Sequence, residues 1–256
     1  MNGKYEKIKD AVFSVLGKKR AFVSAVILAG GSGARMGPGE TKQMRLLCGK
    51  PLIAHTLLAF ERCEYVDEIV LVARGGETGR YAEMCAQYGI SKLARTVAGG
   101  KTRQQSAKLG FDAISDAADY VALHDGARAL VTPEEIKTVV LTAFAHGAAI
   151  AACRATDTVK YAESVFIDQT LEREKIWLAQ TPQVFRDEIY RAAVYTALTE
   201  NFEATDDSAL VERIGIPVRI AECTGINFKI TYPEDLQRAE SILMEREAGY
   251  ADRTGL

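Results

Sequence analysis

The sequence predicts an α/β protein built on a Rossmann-like, doubly wound, mostly parallel sheet, with a β-hairpin arm added to it. Three observations support this prediction. The chain has 256 residues, of which 48% are hydrophobic, so one domain can bury a full core. Apolar runs of strand length alternate with stretches of helical character along most of the chain. One polar stretch with alternating apolar residues interrupts that rhythm in the second half.

The expected parallel strands are short apolar runs. They are residues 22–28, 68–73, 120–123 and 148–152. Runs of this kind are buried on both faces of a sheet. Helical stretches such as 52–62 and 133–146 lie between them, as in βαβ units. Ligands of such folds bind beyond the carboxyl ends of the strands, so functional residues are expected directly after these runs.

The arm is predicted at about 156–183, where apolar and polar residues alternate without a helical period. This pattern indicates an antiparallel excursion from the parallel sheet. An exposed hairpin needs a partner surface, so we expect a dimerisation arm. The remaining expected elements are helices from about Asp187, Asp206 and Pro233 and a strand at 217–221. All of them fit one domain over residues 21–250, preceded by an amphipathic appendage at 1–20.

The bulk composition excludes several function classes. A net charge of −2 and a pI near 6.0 give no concentrated basic surface for nucleic acid. The five cysteines are scattered without a CxxC pair, which argues against a disulfide framework or a zinc knuckle and favours a reducing compartment. No stretch reaches the roughly 18 apolar residues of a membrane span, and the start lacks the apolar core of a secretion signal. We therefore expect a soluble, cytoplasmic protein without nucleic-acid or membrane partners.

A glycine-rich loop, AGGSGAR at 29–35, follows the first apolar run, and Lys42 lies a few residues beyond it. Glycines let backbone N–H groups approach phosphate oxygens, while Arg35 and Lys42 supply positive charge. A tight turn with two solvated cations is the alternative for such a loop taken alone. A P-loop string does not occur, and Met36 breaks the dinucleotide fingerprint GxGxxG. An NADP-type interpretation stays open through Arg74, which follows the second expected strand.

Two further segments follow expected strands. The first, AGGKTRQQS at 98–106, can hold a nucleobase or a ribose through backbone and hydroxyl groups, although an ordinary helix start explains it equally well. The second, LHDGAR at 123–128, puts Asp125 at the carboxyl edge of the sheet. There Asp125 can hold Mg²⁺ or a ribose hydroxyl, and Arg128 can reach a phosphate. A structural ion pair is the alternative. His124 is expected to be a hydrogen-bonded supporting residue rather than a base.

These segments occur with several others in a fixed order. The series is LAGGSGARM with a following KQ, GGKTRQQS, HDGAR, TDTVK, TLERE, QTPQVF, TDDSALVE and INFKITYPEDL. In sequence and order it resembles the 2-C-methyl-D-erythritol 4-phosphate cytidylyltransferases of non-mevalonate isoprenoid synthesis, over roughly residues 22–245. Any one motif alone is weak, whereas several motifs in register are specific.

The resemblance implies a homodimeric, Mg²⁺-dependent nucleotidyltransferase that condenses CTP with the sugar-alcohol phosphate and releases pyrophosphate. The implied catalytic residues are Arg35 and Lys42, which would stabilise the transition state, and Arg173 and Lys229. The implied substrate-binding positions are Ala29, Gly30, Gly31, Gly33, Gly100, Ser106, Asp125, Arg128, Thr158, Thr181 and Thr205. Asp125 would also be the metal position. Arg173, on the arm, would reach into the neighbouring subunit's site.

The sequence departs from the family pattern at a few positions. Gly30 stands where the family has a second alanine, Thr41 where it has a proline, and Lys101 where an acidic residue is frequent. Gly126 and Ala129 replace an alanine and a proline. Gly30 is similar to the sister family of ribitol 5-phosphate cytidylyltransferases, so another polyol phosphate is the nearest alternative substrate. More distant alternatives are an NADP-dependent oxidoreductase and a non-catalytic nucleotide sensor.

The residue inventory agrees with a reaction that needs no general base. A phosphate monoester has its second pKa near about 6, so it is already an ionised nucleophile at neutral pH. None of the three histidines lies in a Ser-His-Asp or Cys-His arrangement.

Overall fold

The structure is a computed structural model and describes residues 20–31, 33–37 and 40–254. Apart from Arg20, the appendage expected at 1–20 lies outside the described residues. The described strands are β1 (Val23–Leu28), β2 (Leu46–Leu47), β3 (Lys50–Pro51), β4 (Glu68–Ala73), β5 (Leu93–Ala98), β6 (Tyr120–Asp125), β7 (Ala148–Arg154), β8 (Lys160–Tyr161), β9 (Gln169–Thr170), β10 (Trp177–Arg186) and β11 (Arg219–Glu222). The described helices are α1 (Leu52–Arg62), α2 (Thr78–Gln87), α3 (Arg103–Phe111), α4 (Pro133–His146), α5 (Asp187–Thr199), α6 (Asp207–Arg213) and α7 (Pro233–Thr254).

Seven strands form one central sheet in the order β11-β7-β10-β6-β1-β4-β5. Every neighbouring pair is parallel except those of β10, which runs antiparallel to β6 and β7. The predicted mostly parallel α/β sheet is therefore confirmed. Leu28, the last residue of β1, pairs with Val72 of β4 and with Asp125 of β6. The carboxyl ends of these three strands thus lie side by side at one edge of the sheet.

Most predicted boundaries agree with the structure because apolar runs and their punctuation are local signals. β4, α1 and α4 have the expected bounds, and α4 begins with a capping box between Thr132 and Glu135. The expected end of β6 at Leu123 was wrong by two residues. The strand continues to Asp125, whose backbone N–H donates to the hydroxyl of Thr181. Asp125 is therefore a strand residue with a fixed backbone.

Helices cover both faces of the sheet. One hydrophobic cluster joins the sheet to α1, α2 and α4, and a second joins it to α3, α5 and α6. Helix α3 lies very close to the strands, because a Cβ on Gly110 would be 2.4 Å from Val26 Cγ1 and 2.6 Å from Val72 Cγ2. This close approach packs the last turn of α3 against β1 and β4. No helix of the described part is both long and apolar enough to cross a lipid bilayer.

The arm leaves the sheet after β7 and contains the antiparallel pair β8 and β9. Its base is closed by a hydrogen bond from the Ala155 N–H to the Ile176 carbonyl. The expected end of the arm at Gln183 was wrong, because residues 177–183 belong to β10 of the central sheet, where they pair with β7. From Gln180 to Phe185 this strand is buried, so its partners are sheet neighbours rather than an outside surface.

Candidate functional site

An open cleft of about 460 Å³ lies at the carboxyl edge of the sheet. It is lined by the glycine loop after β1, the first turn of α3, the end of β6 and the segment before α7. The predicted site residues that line it are Gly30, Gly31, Gly33, Arg35, Lys42, Gly100, Ser106, Asp125 and Lys229. Cations from two distant parts of the sequence, Arg35 and Lys42 after β1 and Lys229 before α7, therefore face one space.

The glycine loop brings Lys42 to the cleft through close packing. Gly33 has φ +64, a left-handed conformation that favours glycine, and a Cβ on it would lie 2.8 Å from Lys42 Cβ. The Lys42 ammonium donates to the Ile230 carbonyl at 3.1 Å. Arg35 lies with its guanidinium carbon 5.6 Å from the centre of the Tyr232 ring. Both cations are thus held toward the segment that carries Lys229.

The ammonium of Lys42 loses its proton more easily than that of an ordinary lysine. Burial, and then the charge of Lys229, lower the pKa of Lys42 to about 8. An anion in the cleft would favour the charged form and reverse this effect. A partly buried cation of this kind is poised for a phosphate.

The start of α3 forms a compact turn. The Ser106 hydroxyl donates to the Thr102 carbonyl at 2.9 Å and accepts from the Gly100 N–H at 3.1 Å. A Cβ on Gly100 would lie 2.5 Å from Gln105 Cβ, so the turn requires glycine there. The Thr102 side chain caps the helix by accepting from the Gln105 N–H. Ser106 therefore shapes the wall of the cleft as well as lining it.

Asp125 is surrounded by cations. Its Oδ1 is 3.1 Å from Arg103 Nε, and its Oδ2 is 2.9 Å from Lys229 Nζ and 3.9 Å from Arg128 Nε. Burial alone would raise the pKa of the Asp125 carboxyl, but the charges of Arg103, Lys229 and Arg128 outweigh burial and hold the pKa well below its usual range. Asp125 is therefore ionised at neutral pH.

His124 supports this arrangement and does not act as a base. The Thr181 hydroxyl accepts from the Asp125 N–H and lies 3.0 Å from His124 Nδ1, to which it donates when the neutral ring carries its hydrogen on Nε2. The other ring nitrogen is 3.4 Å from the Arg128 carbonyl. Complete burial lowers the pKa of His124 to about 3, so the ring stays neutral. The expectation of a supporting histidine agrees with these contacts.

Among the described residues, six predicted site residues do not line the cleft of their own chain, and one of the six, Arg128, lies beside it. Ala29 is buried at the end of β1, and Thr181 is buried beside Asp125. Thr158 and Thr205 are exposed on loops. Arg173 is exposed on the arm, where its Nη1 donates to the Thr156 carbonyl at 3.1 Å. The guanidinium of Arg128 donates to the Asn227 and Ala179 carbonyls.

Sequence reasoning missed Arg103, although it lies within the quoted segment 98–106. Its guanidinium bridges Asp125 and the buried Asp207, with Nη1 2.8 Å from Asp207 Oδ2. Burial lowers the pKa of Arg103, but the two carboxylates outweigh burial and raise the pKa above its usual range. The available signal was a cation on the first helical turn, where the helix dipole disfavours positive charge. Gln43, Lys101, Thr102 and Thr231 also line the cleft without having been assigned a role.

Two of the departures from the family pattern have different structural settings. A Cβ on Gly30 would meet the Ala73 carbonyl oxygen at 3.5 Å, an ordinary contact, so packing does not require glycine there. A Cβ on Gly126 would lie 2.5 Å from Ile53 Cδ1 and 3.0 Å from the Leu28 carbonyl oxygen. The packing around position 126 therefore leaves no room for a side chain, whereas the structure gives no steric reason for glycine at position 30.

Comparisons with known proteins identify the family. The family model described as IspD, 2-C-methyl-D-erythritol 4-phosphate cytidylyltransferase, matches residues 23–245. A protein of that name from Geobacillus kaustophilus is 43% identical over 224 residues, which cover 88% of this chain and 98% of the relative. Another, from Geotalea uraniireducens, is 44% identical, with coverage of 86% and 96%.

Solved structures give the same result. The 4-diphosphocytidyl-2C-methyl-D-erythritol synthase of Anaerococcus prevotii superposes with a TM-score of 0.79 at 29% identity, covering 88% of this chain and all of the other. The 2-C-methyl-D-erythritol 4-phosphate cytidylyltransferase of Thermus thermophilus superposes with a TM-score of 0.70 at 31% identity, covering 86% of this chain and 98% of the other. With its sheet order, its cation-lined cleft and these matches over nearly the whole domain, the chain belongs to the 2-C-methyl-D-erythritol 4-phosphate cytidylyltransferase family.

Proposed function

We propose that this chain transfers the cytidylyl group of CTP to the phosphate of 2-C-methyl-D-erythritol 4-phosphate and releases pyrophosphate. One observation carries the proposal: Arg35, Lys42 and Lys229 line one cleft at the carboxyl edge of a parallel sheet, beside a glycine loop. Two anionic substrates must be brought together there, and fixed cations offset their repulsion. Family membership favours this activity over an NADP-dependent oxidoreductase or a nucleotide sensor.

The reaction would proceed by in-line displacement. An oxygen of the sugar-alcohol phosphate attacks the α-phosphorus of CTP, a new P–O bond forms, and the bond from that phosphorus to the bridging oxygen of the β-phosphate breaks. The attacking phosphate is already ionised, so no side chain has to remove a proton. Arg35 and Lys42 would stabilise the negative charge that develops on the α-phosphate and on the leaving pyrophosphate. Lys229 would hold the attacking phosphate.

Mg²⁺ is the divalent ion that we propose for this reaction. Mg²⁺ prefers oxygen ligands and commonly binds through one or two carboxylates together with substrate phosphates. Asp125 provides such a carboxylate in the cleft. Its oxygens are paired with Arg103 and Lys229, so an ion that arrives with the triphosphate would compete with Lys229 for Oδ2. The charge of the ion would add to that of Arg35 and Lys42. Titrating Mg²⁺ against CTP affinity by calorimetry tests this, because equal CTP affinity with and without the ion contradicts it.

The sugar-alcohol substrate is decided by one parallel assay. Pyrophosphate release is measured with each of the four ribonucleoside triphosphates against methylerythritol phosphate and ribitol 5-phosphate. We expect release with CTP and methylerythritol phosphate, and at least about a hundredfold lower kcat/KM with ribitol 5-phosphate, which has an unbranched carbon chain and one more hydroxyl group. Faster pyrophosphate release with ribitol 5-phosphate would show that the chain is a ribitol 5-phosphate cytidylyltransferase instead.

We propose a homodimer formed through the arm. Val165 and Phe166, between β8 and β9, are 93% and 78% exposed, and Ile167 beside them is exposed as well. Adjacent exposed apolar side chains on a hairpin are typical of an interaction surface. In such a dimer Arg173 would reach the partner's cleft. Light scattering of the variant with serine at positions 165, 166 and 167 tests the dimer, which should dissociate while each chain stays folded.

We also propose that the enzyme works in the cytoplasm. All five cysteines lie in the described part of the chain, and all five are free thiols there. Free thiols suit a reducing compartment. Localisation of a fluorescent fusion in the native host tests this directly, and recovery in a secreted fraction would contradict it.

A further inference from the structure

Arg103 is built into the cleft more firmly than the other cations. It is the first residue of α3, a position where the helix dipole opposes positive charge. Two carboxylates offset that cost. Arg103 Nε is 3.1 Å from Asp125 Oδ1, and Nη1 is 2.8 Å from Asp207 Oδ2. The Arg103 guanidinium therefore bridges the carboxylates of Asp125 and Asp207.

Asp207, one of the two carboxylates, is fixed in the protein interior. Asp207 is 1% exposed and begins α6, and its Oδ1 accepts from the Tyr190 hydroxyl at 2.7 Å. The ring of Tyr190 is fully buried and packs against Phe111 and Phe185, with ring centres 5.0 Å and 5.5 Å away. The guanidinium is therefore held from the protein interior and extends toward Asp125.

Lys229, the other close cation on Asp125, is loosely held by comparison. Its side chain is 39% exposed, and its ammonium contacts Asp125 Oδ2 at 2.9 Å. Under the proposed function this ammonium binds the sugar-alcohol phosphate, which competes with Asp125 for it, so the contact with Asp125 weakens when that substrate enters. A buried carboxylate without a partner is strongly unfavourable, so a cation fixed in the protein is needed beside it both before and after Mg²⁺ arrives with the triphosphate.

Arg128 does not fill that role. Its Nε is 3.9 Å from Asp125, and its terminal nitrogens donate to the Asn227 and Ala179 carbonyls. We infer that Arg103 is a positioning residue: anchored on Asp207, it holds the Asp125 carboxylate in place and balances its charge while the Lys229 ammonium moves to the sugar-alcohol phosphate. This inference rests on the proposed function and adds a residue to it.

The test uses a double variant, because Arg103→Gln alone leaves Asp207 buried and unpaired. Arg103→Gln with Asp207→Asn removes both charges and keeps an acceptor for the Tyr190 hydroxyl. The matched control is Arg213→Gln with Glu200→Gln, an ion pair of 2.6 Å that also includes α6 and lies away from the cleft. The measurements are the CTP Kd by calorimetry, kcat and the KM for methylerythritol phosphate, and the thermal midpoint of each variant.

In the double variant we expect the KM for methylerythritol phosphate to rise about tenfold and kcat to fall about a hundredfold, because Asp125 retains Lys229 and the reacting groups are misplaced. The CTP Kd should change less than about threefold. The control should match the wild type. Arg103→Lys, which keeps a positive charge beside Asp207, should recover part of the lost turnover. If the double variant does not fold, Asp207→Asn alone replaces it, because it removes the anchor of Arg103 and should lower kcat and raise the KM in the same direction.

Unchanged kcat and KM in the double variant, or in Asp207→Asn where it stands in, would overturn the inference. So would a loss of CTP affinity as large as the rise in KM, since Arg103 would then be a nucleotide ligand. In an Asp125→Asn background the same changes should have little further effect on KM, because no charge is left to balance. A wild-type protein that releases no pyrophosphate from CTP with methylerythritol phosphate would instead refute the proposed function, so the two failures are distinguishable.

Discussion

The Cβ of Lys42 occupies the space that a side chain on Gly33 would need. A Cβ at position 33 would lie only 2.8 Å from it, and Gly33 has φ +64. The glycine loop is thus shaped to fit a lysine that comes from the following turn, and the cation enters the cleft because the backbone leaves room for it. The position of Lys42 therefore depends on a residue that carries no charge.

The first prediction concerns that contact. Gly33→Ala should displace Lys42 and lower kcat/KM for CTP about a hundredfold, because a displacement of about 1 Å can cost that much. Gly37→Ala is the matched control: its φ is +77, so it has the same backbone strain, but a Cβ there meets nothing within 4 Å. Equal losses in the two variants would show that strain, not the displaced lysine, is responsible.

The second prediction removes the cation itself. Lys42→Ala should keep the fold and lose about 10²–10³ in turnover, the usual cost of losing one positioned charge that stabilises a transition state. Steady-state pyrophosphate release and circular dichroism measure the two effects. Near wild-type turnover in a folded variant would rule out the proposed role of Lys42.

The third prediction is a pH dependence. Burial and the charge of Lys229 lower the pKa of Lys42 to about 8, so the free enzyme carries this charge below that pH and loses it above. We expect kcat/KM for CTP to fall above pH 8 by about tenfold per pH unit. Lys42→Arg should move this decline to higher pH, because arginine stays protonated. A decline at the same pH in that variant would assign it to another group.

The fourth prediction concerns Arg173. Arg173→Ala should raise the KM for methylerythritol phosphate far more than the KM for CTP, since the side chain should touch only the former. If Arg173 acts across a dimer, mixing Arg173→Ala with Lys42→Ala subunits should restore about a quarter of the active sites at exchange equilibrium. Each mixed dimer would then contain one cleft with both residues. If activity does not recover although subunit exchange has been verified, Arg173 does not act in the partner's cleft.

The fifth prediction concerns the packing around Gly126. Gly126→Ala should lower the free energy of unfolding by about 1–3 kcal/mol, because the added methyl meets Ile53 Cδ1 at 2.5 Å. Ile53→Val removes that atom, so the double variant should be more stable than the sum of the single changes predicts. Urea denaturation measures all three. Additive losses would contradict the contact.

The fold was largely predictable because its signals are local. The apolar runs that became β1 and β4, and the capping box and Pro133 at the start of α4, lie within a few residues of the elements they define. The end of β6 was not predictable in this way. Asp125 is held in the strand by a hydroxyl from Thr181, which is adjacent only after β10 has returned to the sheet.

The site was predictable to the extent that it follows the strands. Arg35, Lys42, Asp125 and Lys229 come from segments that a parallel sheet brings to one edge, so their convergence follows from topology. The role of Arg103 depends on Asp207, which lies on a helix far away in sequence, and no spacing rule connects the two. Thr181 was expected at a substrate because of its motif, whereas its hydroxyl supports the backbone of Asp125.

A small hydrophobic cluster lies beside the segment that carries Lys229, separate from the two larger hydrophobic clusters that cover the faces of the sheet. It includes Ala127, Ile230 and Ala239, and it joins the segment that carries Lys229 to helix α7. Since a small cluster opens at lower cost than the main core, mild denaturant should loosen it first. Enzymatic activity would then be lost at urea concentrations that leave the circular dichroism spectrum of the sheet unchanged. Local unfolding of this cluster would therefore inactivate the enzyme before the whole domain unfolds.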